Sequence, residues 1–128
     1  MGDMTRIVQE LYTCFAAGDL DGMLRHVDPG VVLIQDDRLP WGGRHVGPDG
    51  LAELGLVLAT TVDTEVTPET IFEAGDTVIQ IGRSRGTVRA DGSTYDIPEC
   101  HVWSFRDGKV VQVEMYIESN AILQLIPR

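Results

Sequence analysis

The stretch YDIPECHVWSFRDGKVVQVEMYIE, residues 95–118, decides the fold. Side chains alternate across an extended chain, so Tyr95, Ile97, Glu99, His101, Trp103 and Phe105 share one face. Arg106-Asp107-Gly108-Lys109 follows, and its Asp-Gly step suits a tight hairpin turn because both central residues tolerate positive φ. The returning strand sets Val111, Val113, Met115 and Ile117 on one face and Gln112, Glu114, Tyr116 and Glu118 on the other. A carboxylate and an imidazole two residues apart, on a face otherwise apolar and aromatic, form a candidate acid–base pair inside a pocket: Glu99 with His101.

Working back from this hairpin, segments near 63–74 and 77–89 also read as strands. Short Gly- and Asp-containing turns divide them from one another and from the hairpin, which predicts an antiparallel meander. The N-terminal half reads differently. Ile7, Val8, Leu11, Tyr12 and Phe15 recur at helical spacing over residues 4–17; Gly18 ends that helix and Asp19 caps a second, running to about His26. Asp28-Pro29-Gly30 breaks it, and Val31-Val32-Leu33-Ile34 is a buried strand. Residues 38–46 read as a loop, and Gly47-Pro48-Asp49 opens a third helix with its stripe at Leu51, Leu54 and Leu58. Ser119-Asn120 caps a last short helix through Leu125. Helices first and strands afterward predict one α+β domain over residues 1–128, a curved antiparallel sheet wrapped over three N-terminal helices and enclosing a conical cavity.

The chain has 128 residues, 43% of them hydrophobic, and a net charge of −10. That size and composition suit one folded domain with a real core. The acidic balance argues against nucleic acid and anionic membrane surfaces, which require a basic footprint. Cys14 and Cys100 stand on different elements without metal spacing, so free thiols are expected. No apolar leader or membrane-length run is present, so a cytoplasmic protein is expected. Neither a metal nor a cofactor is expected: the histidines and acids follow no ligand pattern, and Gly42-Gly43 lacks the strand–turn–helix context of nucleotide binding.

Three segments resemble a known family. The helix–helix junction Ala17-Gly18-Asp19-Leu20-Asp21-Gly22, the stretch from Pro40 through Trp41-Gly42-Gly43-Arg44-His45 to Gly50, and His101 to Val110 are similar to SnoaL-like members of the nuclear transport factor 2-like superfamily. The resemblance implies a cone-shaped α+β fold, also shared by ketosteroid isomerase and limonene epoxide hydrolase, and a homodimer through the outer face of the sheet. It places His101 where the isomerase carries its oxyanion-stabilising acid and where SnoaL-like cyclases carry a histidine. The isomerase's helix-one tyrosine falls on Leu11, so that donor is expected to be missing. Its first-strand base falls near Ile34, with Asp36 and Asp37 late. The hydrolase's last-strand acid falls on Met115, and Glu114 or Glu118 serves only if the assigned alternation is wrong.

The resulting expectation is an enzyme of small-molecule metabolism with an apolar cavity. It would perform acid–base chemistry, cyclisation or isomerisation ahead of epoxide hydrolysis, on a hydrophobic carbonyl- or epoxide-bearing metabolite. His101 is the acid, base or oxyanion donor, since imidazole titrates near neutrality, and Glu99 orients it. Trp41 and His45 are expected over the cavity mouth, with core filling the alternative for Trp41. Tyr12, Phe15, Trp103 and Met115 line the pocket or fill the core. Arg83, with Arg85, faces inward to pair with Glu99 or an anionic ligand, or pairs at the rim. Asp36 and Asp37 are a base at the cavity floor or solvated turn residues. A hydrophobic-ligand binder without catalysis and a dimeric interaction domain are the competing readings.

Overall fold

The structure, a computed structural model, describes residues 2–126. Its elements are α1 (Asp3–Ala17), α2 (Leu20–Leu24), β1 (Val27–Gln35), β2 (Gly43–Val46), α3 (Gly47–Thr61), β3 (Val62–Ala74), β4 (Thr77–Val88), β5 (Thr94–Arg106), β6 (Lys109–Ile117) and α4 (Ser119–Leu123). The six strands form one curved, unclosed sheet in the order β2-β1-β6-β5-β4-β3. All neighbours are antiparallel except β1 and β6, which run parallel. The sheet is therefore mixed at one seam, because the chain crosses under it through α3 between β1 and the meander.

The helices form where the periodicity places them. Ile7, Val8 and Leu11 are buried on one side of α1, and Gly18 ends the helix at φ 67°, a value that favours glycine. Asp19 then accepts a hydrogen bond from the Gly22 N–H at 2.9 Å and caps α2. At its other end α1 borrows a cap from the sheet: the Thr5 hydroxyl donates to Glu73 Oε2 at 2.7 Å, and the Thr5 N–H reaches the same oxygen at 3.3 Å. This clamps α1 to β3.

Two expectations change at the edge of the sheet. Residues 43–46 form β2, paired with β1 from Val32↔Val46 to Gln35↔Gly43, where a loop was expected. Four residues are too few for a period to show. Likewise β1 begins at Val27: the register shifts between the Val27↔Val110 and Val32↔Gln112 pairs, with Pro29 and Gly30 exposed and Val31 buried in the core.

Two further bulges re-aim side chains. Ser104 pairs with Gln112 and Phe105 with Val110, so Val111 is the unpaired extra residue; Val110 turns inward and is fully buried, in place of the expected Val111. On β3, Pro68 pairs with Gly82 and Thr70 with Ile81, which leaves Glu69 as the extra residue beside α1.

The core lies in two parts. Ile7, Val8 and Leu11 of α1, with Leu51 and Leu54 of α3, pack on Leu33, Val78, Trp103, Phe105 and Val113 of the sheet. The far end is closed by Leu39, Trp41, Val62, Val88, Tyr95 and Ile97 around Ile122 of α4. Between these clusters the buried face of β4 and β5 is polar.

Candidate active site

Tyr12, Gln80, Glu99, His101 and Trp103 converge on the inner face of the sheet. Pairing β4 with β5 sets Gln80 opposite His101 and Gly82 opposite Glu99. Trp103 stands two places beyond His101, so alternation keeps it on the same face. From the other side, the anchoring of Val8 and Leu11 in the core turns the next residue, Tyr12, onto these strands. Gln80 is fully buried, and Glu99 and His101 are 4% and 8% exposed.

The Tyr12 hydroxyl is the hub. Gln80 Nε2 donates to it at 2.9 Å and Trp103 Nε1 at 3.2 Å, while His101 Nδ1 lies 2.6 Å away. Indole and amide N–H groups only donate, so both lone pairs of the phenol oxygen are taken and its one hydrogen points to Nδ1. His101 consequently carries its proton on Nε2, which faces Glu99 Oε2 at 3.4 Å. Gln80 gives its second N–H to that same oxygen at 2.8 Å. The ring of Tyr12 stacks on His101 at a centroid distance of 5.8 Å and meets Trp103 edge-on at 5.5 Å.

Burial sets the charge states. It lowers His101 to about 4, so the ring is neutral near pH 7 and its contact with Glu99 is not an ion pair. Burial also raises Glu99 to about 7, opposed by the Gln80 hydrogen bond and assisted by the charge of Glu69. Tyr12 is held well above the ordinary phenol value, again by burial, despite the donors Trp103 and Gln80. The result is a neutral phenol, a neutral imidazole and a carboxyl poised to gain or lose a proton near neutrality.

An open groove of about 710 Å³ reaches this network at Tyr12. One wall is Thr5, Gln9, Tyr12, Thr13 and Ala16 of α1; the other is Pro68, Glu69 and Ile71 of β3. This lining mixes polar and apolar groups, where an apolar cavity was expected. Among the described residues, no three His, Cys, Asp or Glu side chains converge to hold a metal ion.

Several candidates lie elsewhere. Trp41 is 2% exposed within the far core cluster, its indole N–H bonded to Gln35 Oε1; it fills the core and is no lid. His45 is turned onto its own loop, with Nε2 2.9 Å from the Gly42 carbonyl and 3.1 Å from that of Trp41. Phe15, half-buried near the end of α1, is not a groove residue. Arg83 projects from the outer face and pairs, with Arg85, to Asp96 at 2.6 and 3.1 Å; the expected Arg83–Glu99 pair fails because the two side chains lie on opposite faces. Trp103 holds Tyr12 from within the core, and Met115 is half-buried beside His101 on β6.

The acids after β1 form a surface turn, in which Arg38 pairs with Asp36 at 2.6 Å and holds its carboxyl far below the usual range. Asp37 and Glu118 are exposed, and Glu114 is on the outer face with Gln112 and Tyr116. Leu11 is core, and the next residue, Tyr12, brings a phenol to the site whose hydrogen is spent on His101 Nδ1. Gln80 is the participant that sequence reasoning missed. The available signal was its place opposite His101 once the meander is registered.

The match of the chain to known proteins is broad. Residues 8–113 match the SnoaL-like domain model. A nuclear transport factor 2-like protein of unknown function from Burkholderia pseudomallei superposes with a TM-score of 0.93 at 25% identity, covering 100% of both chains. TerC, co-crystallised with polyporic acid, gives 0.89 at 23% identity over 97% of this chain and 98% of its own. A proposed polyketide cyclase from Xanthomonas campestris gives 0.84 at 21% identity over 95% of each chain. No curated protein sequence matches. With the model spanning most of the chain and the fold shared throughout its length, the protein belongs to the SnoaL-like domain family.

Proposed function

We propose that the protein is an enzyme performing proton transfer on a hydrophobic, carbonyl-bearing metabolite held in the groove between α1 and β3, in an isomerisation or cyclisation that needs no cofactor. The observation that carries this reading is the succession of groove-lining Tyr12, hydrogen-bonded to His101 Nδ1, and buried Glu99, whose Oε2 lies 3.4 Å from the other ring nitrogen. The tautomer sets the direction. A proton leaving the carbon beside the substrate carbonyl passes to the Tyr12 oxygen, onto the lone pair that Trp103 Nε1 gives up as its 3.2 Å bond breaks, while the Tyr12 hydrogen moves to His101 Nδ1. The Nε2 hydrogen then moves to Glu99. Tyr12 and His101 end neutral, the substrate becomes an enolate, and the proton rests on Glu99 until it returns to another carbon or the enolate closes a ring. Glu99 near 7 is matched to that task, and only its ionised form accepts the proton, so activity rises as pH passes about 7. The names of solved relatives, a proposed polyketide cyclase and a protein co-crystallised with polyporic acid, support an oxygenated ring-forming substrate class.

A second reading, binding without catalysis, is favoured by one observation: the Glu99 side chain has no exposed surface. Deuterium exchange separates the two. β,γ-Unsaturated ketones, which carry hydrogen on the carbon beside the carbonyl, serve as probes in deuterated buffer, with exchange followed by NMR. His101→Ala is expected to keep binding and to lose exchange by about 10²-fold or more. Undiminished exchange in His101→Ala would sink the relay, and binding without exchange in the wild type would establish the second reading.

We also propose self-association through the outer sheet face. Phe72, Ile81 and Tyr116 are 43%, 45% and 53% exposed there, on three different strands, an apolar area that a second copy would cover. Among the described residues no helix is long and apolar enough to cross a membrane.

A further inference from the structure

Two buried oxygens in the network have no hydrogen-bond partner: Gln80 Oε1 and Glu99 Oε1. Both crowd one place. A Cβ added to Gly82 would lie 2.7 Å from the first and 3.0 Å from the second. The other atoms of the same two groups are already joined, since Gln80 Nε2 donates to Glu99 Oε2 at 2.8 Å. Two lone-pair oxygens gathered at one buried spot without a donor cost free energy, and buried acceptors are nearly always satisfied. One proton removes the conflict. Placed on Glu99 Oε1, it turns that atom into a donor for Gln80 Oε1 and leaves no orphan.

We propose that Gln80 and Glu99 form a reciprocal acid–amide pair, with the resting proton of the site on Glu99 Oε1, and that Gln80 is the positioning residue that holds it there. The remaining groups agree. Those facing the pair are Tyr12 from α1, neutral His101 on β5, and Glu69 from the β3 bulge, whose negative charge disfavours a second anion. Arg83 and Arg85 are occupied by Asp96 on the opposite face. Gly82 is the residue that leaves room: any side chain there would meet the Thr67 carbonyl at 2.2 Å as well as the pair. The consequence for turnover rests on the relay proposed above. A protonated Glu99 cannot accept the proton arriving from His101, so the pair is a lock that opens when Oε1 loses its hydrogen. The pair itself does not depend on that reading.

The test uses the wild-type protein without substrate. Side-chain carbonyl carbons of Glu99 and Gln80 are followed by ¹³C NMR from pH 4 to 9 (roughly the range in which a buried carboxyl titrates). The Glu99 carboxyl is expected to titrate near 7, well above the ordinary 4.5. The Gln80 carbonyl shift should move with the same midpoint, because its donor is lost at that step. In Glu99→Gln an amide N–H replaces the acid O–H, so the Gln80 carbonyl should stay at its acid-form position throughout. A Glu99 carboxyl that titrates with the surface acids overturns the proposal. So does a Gln80 carbonyl indifferent to the Glu99 midpoint, the result if a water satisfied both oxygens. The wild-type titration decides the matter even if the variant does not fold.

Discussion

Replacing Glu99 by glutamine should expose an effect hidden in the wild type, namely how strongly His101 resists protonation. Folding moves Glu99 from an ordinary 4.5 to about 7. Between those values the folded chain holds a proton the unfolded chain has released, so this group makes stability fall as pH rises. Folding moves His101 the other way, from 6.5 to about 4. Between those values the unfolded chain holds the extra proton, so this group makes stability rise with pH. Each shift corresponds to about 3 kcal/mol at roughly 1.4 kcal/mol per pH unit. The windows overlap between about pH 4.5 and 6.5, where the slopes are opposite and nearly equal, and the wild type should be almost flat there. Glu99→Gln preserves size and the Gln80 contact and removes one slope. Its stability should climb by about 3 kcal/mol across the window, or about 10 °C in Tm for a chain of this length. Urea unfolding monitored by tryptophan fluorescence, at fixed protein concentration because self-association would shift the midpoint, provides the measurement. If Glu99→Gln were as flat as the wild type, the buried neutral state of His101 would be wrong, and with it the tautomer on which the relay depends.

Tyr12→Phe strands Trp103 Nε1, removes the donor to His101 Nδ1 and leaves one Gln80 hydrogen without an acceptor, so it should cost about 3 kcal/mol. Tyr95→Phe loses a single bond to Thr64 and should cost about 1 kcal/mol; equal losses in the two variants would deny Tyr12 its place as hub. On the outer face, Ile81→Asp should give monomers by light scattering with unchanged near-ultraviolet circular dichroism, and a wild type that is already monomeric at micromolar concentration would refute the interface.

The inner face of β5 is legible because aromatic and apolar residues alternate with others from Tyr95 to Phe105, and a period of two permits one assignment. The next strand fails by one residue, since nothing in Lys109-Val110-Val111-Gln112 announces that Val111 is unpaired. Helix α1 is legible as a helix, but counting back from Gly18 fixes a face only to within a residue, and one residue is about 100° of turn. That error separates Leu11, which packs in the core, from Tyr12, whose hydroxyl reaches His101. Trp41, between proline and glycines, reads either as a lid over the cavity mouth or as core filling. It becomes core because α4 and Ile122, far along the chain, supply the other wall of its site.

Strand β4 is the instructive failure. Ile79 and Ile81 are its most apolar residues, so the rule that apolar faces turn inward selects them, together with Arg83. The sheet does the reverse: Val78, Gln80, Gly82 and Ser84 are buried, while Ile81 is 45% exposed. Both halves of the inversion work against simple burial. An amide placed where a valine would pack is tolerated only because Tyr12 and Glu99 accept its two hydrogens, and an isoleucine facing out is tolerated most readily if another surface covers it. Local pattern and global fold disagree here on both faces of the same strand. Such disagreements are expected where a sequence gives up packing for a site on one side and a contact on the other. The misread strand is therefore itself an argument that the polar pair at Gln80 and Glu99, and the exposed face behind it, serve functions beyond stabilising the domain.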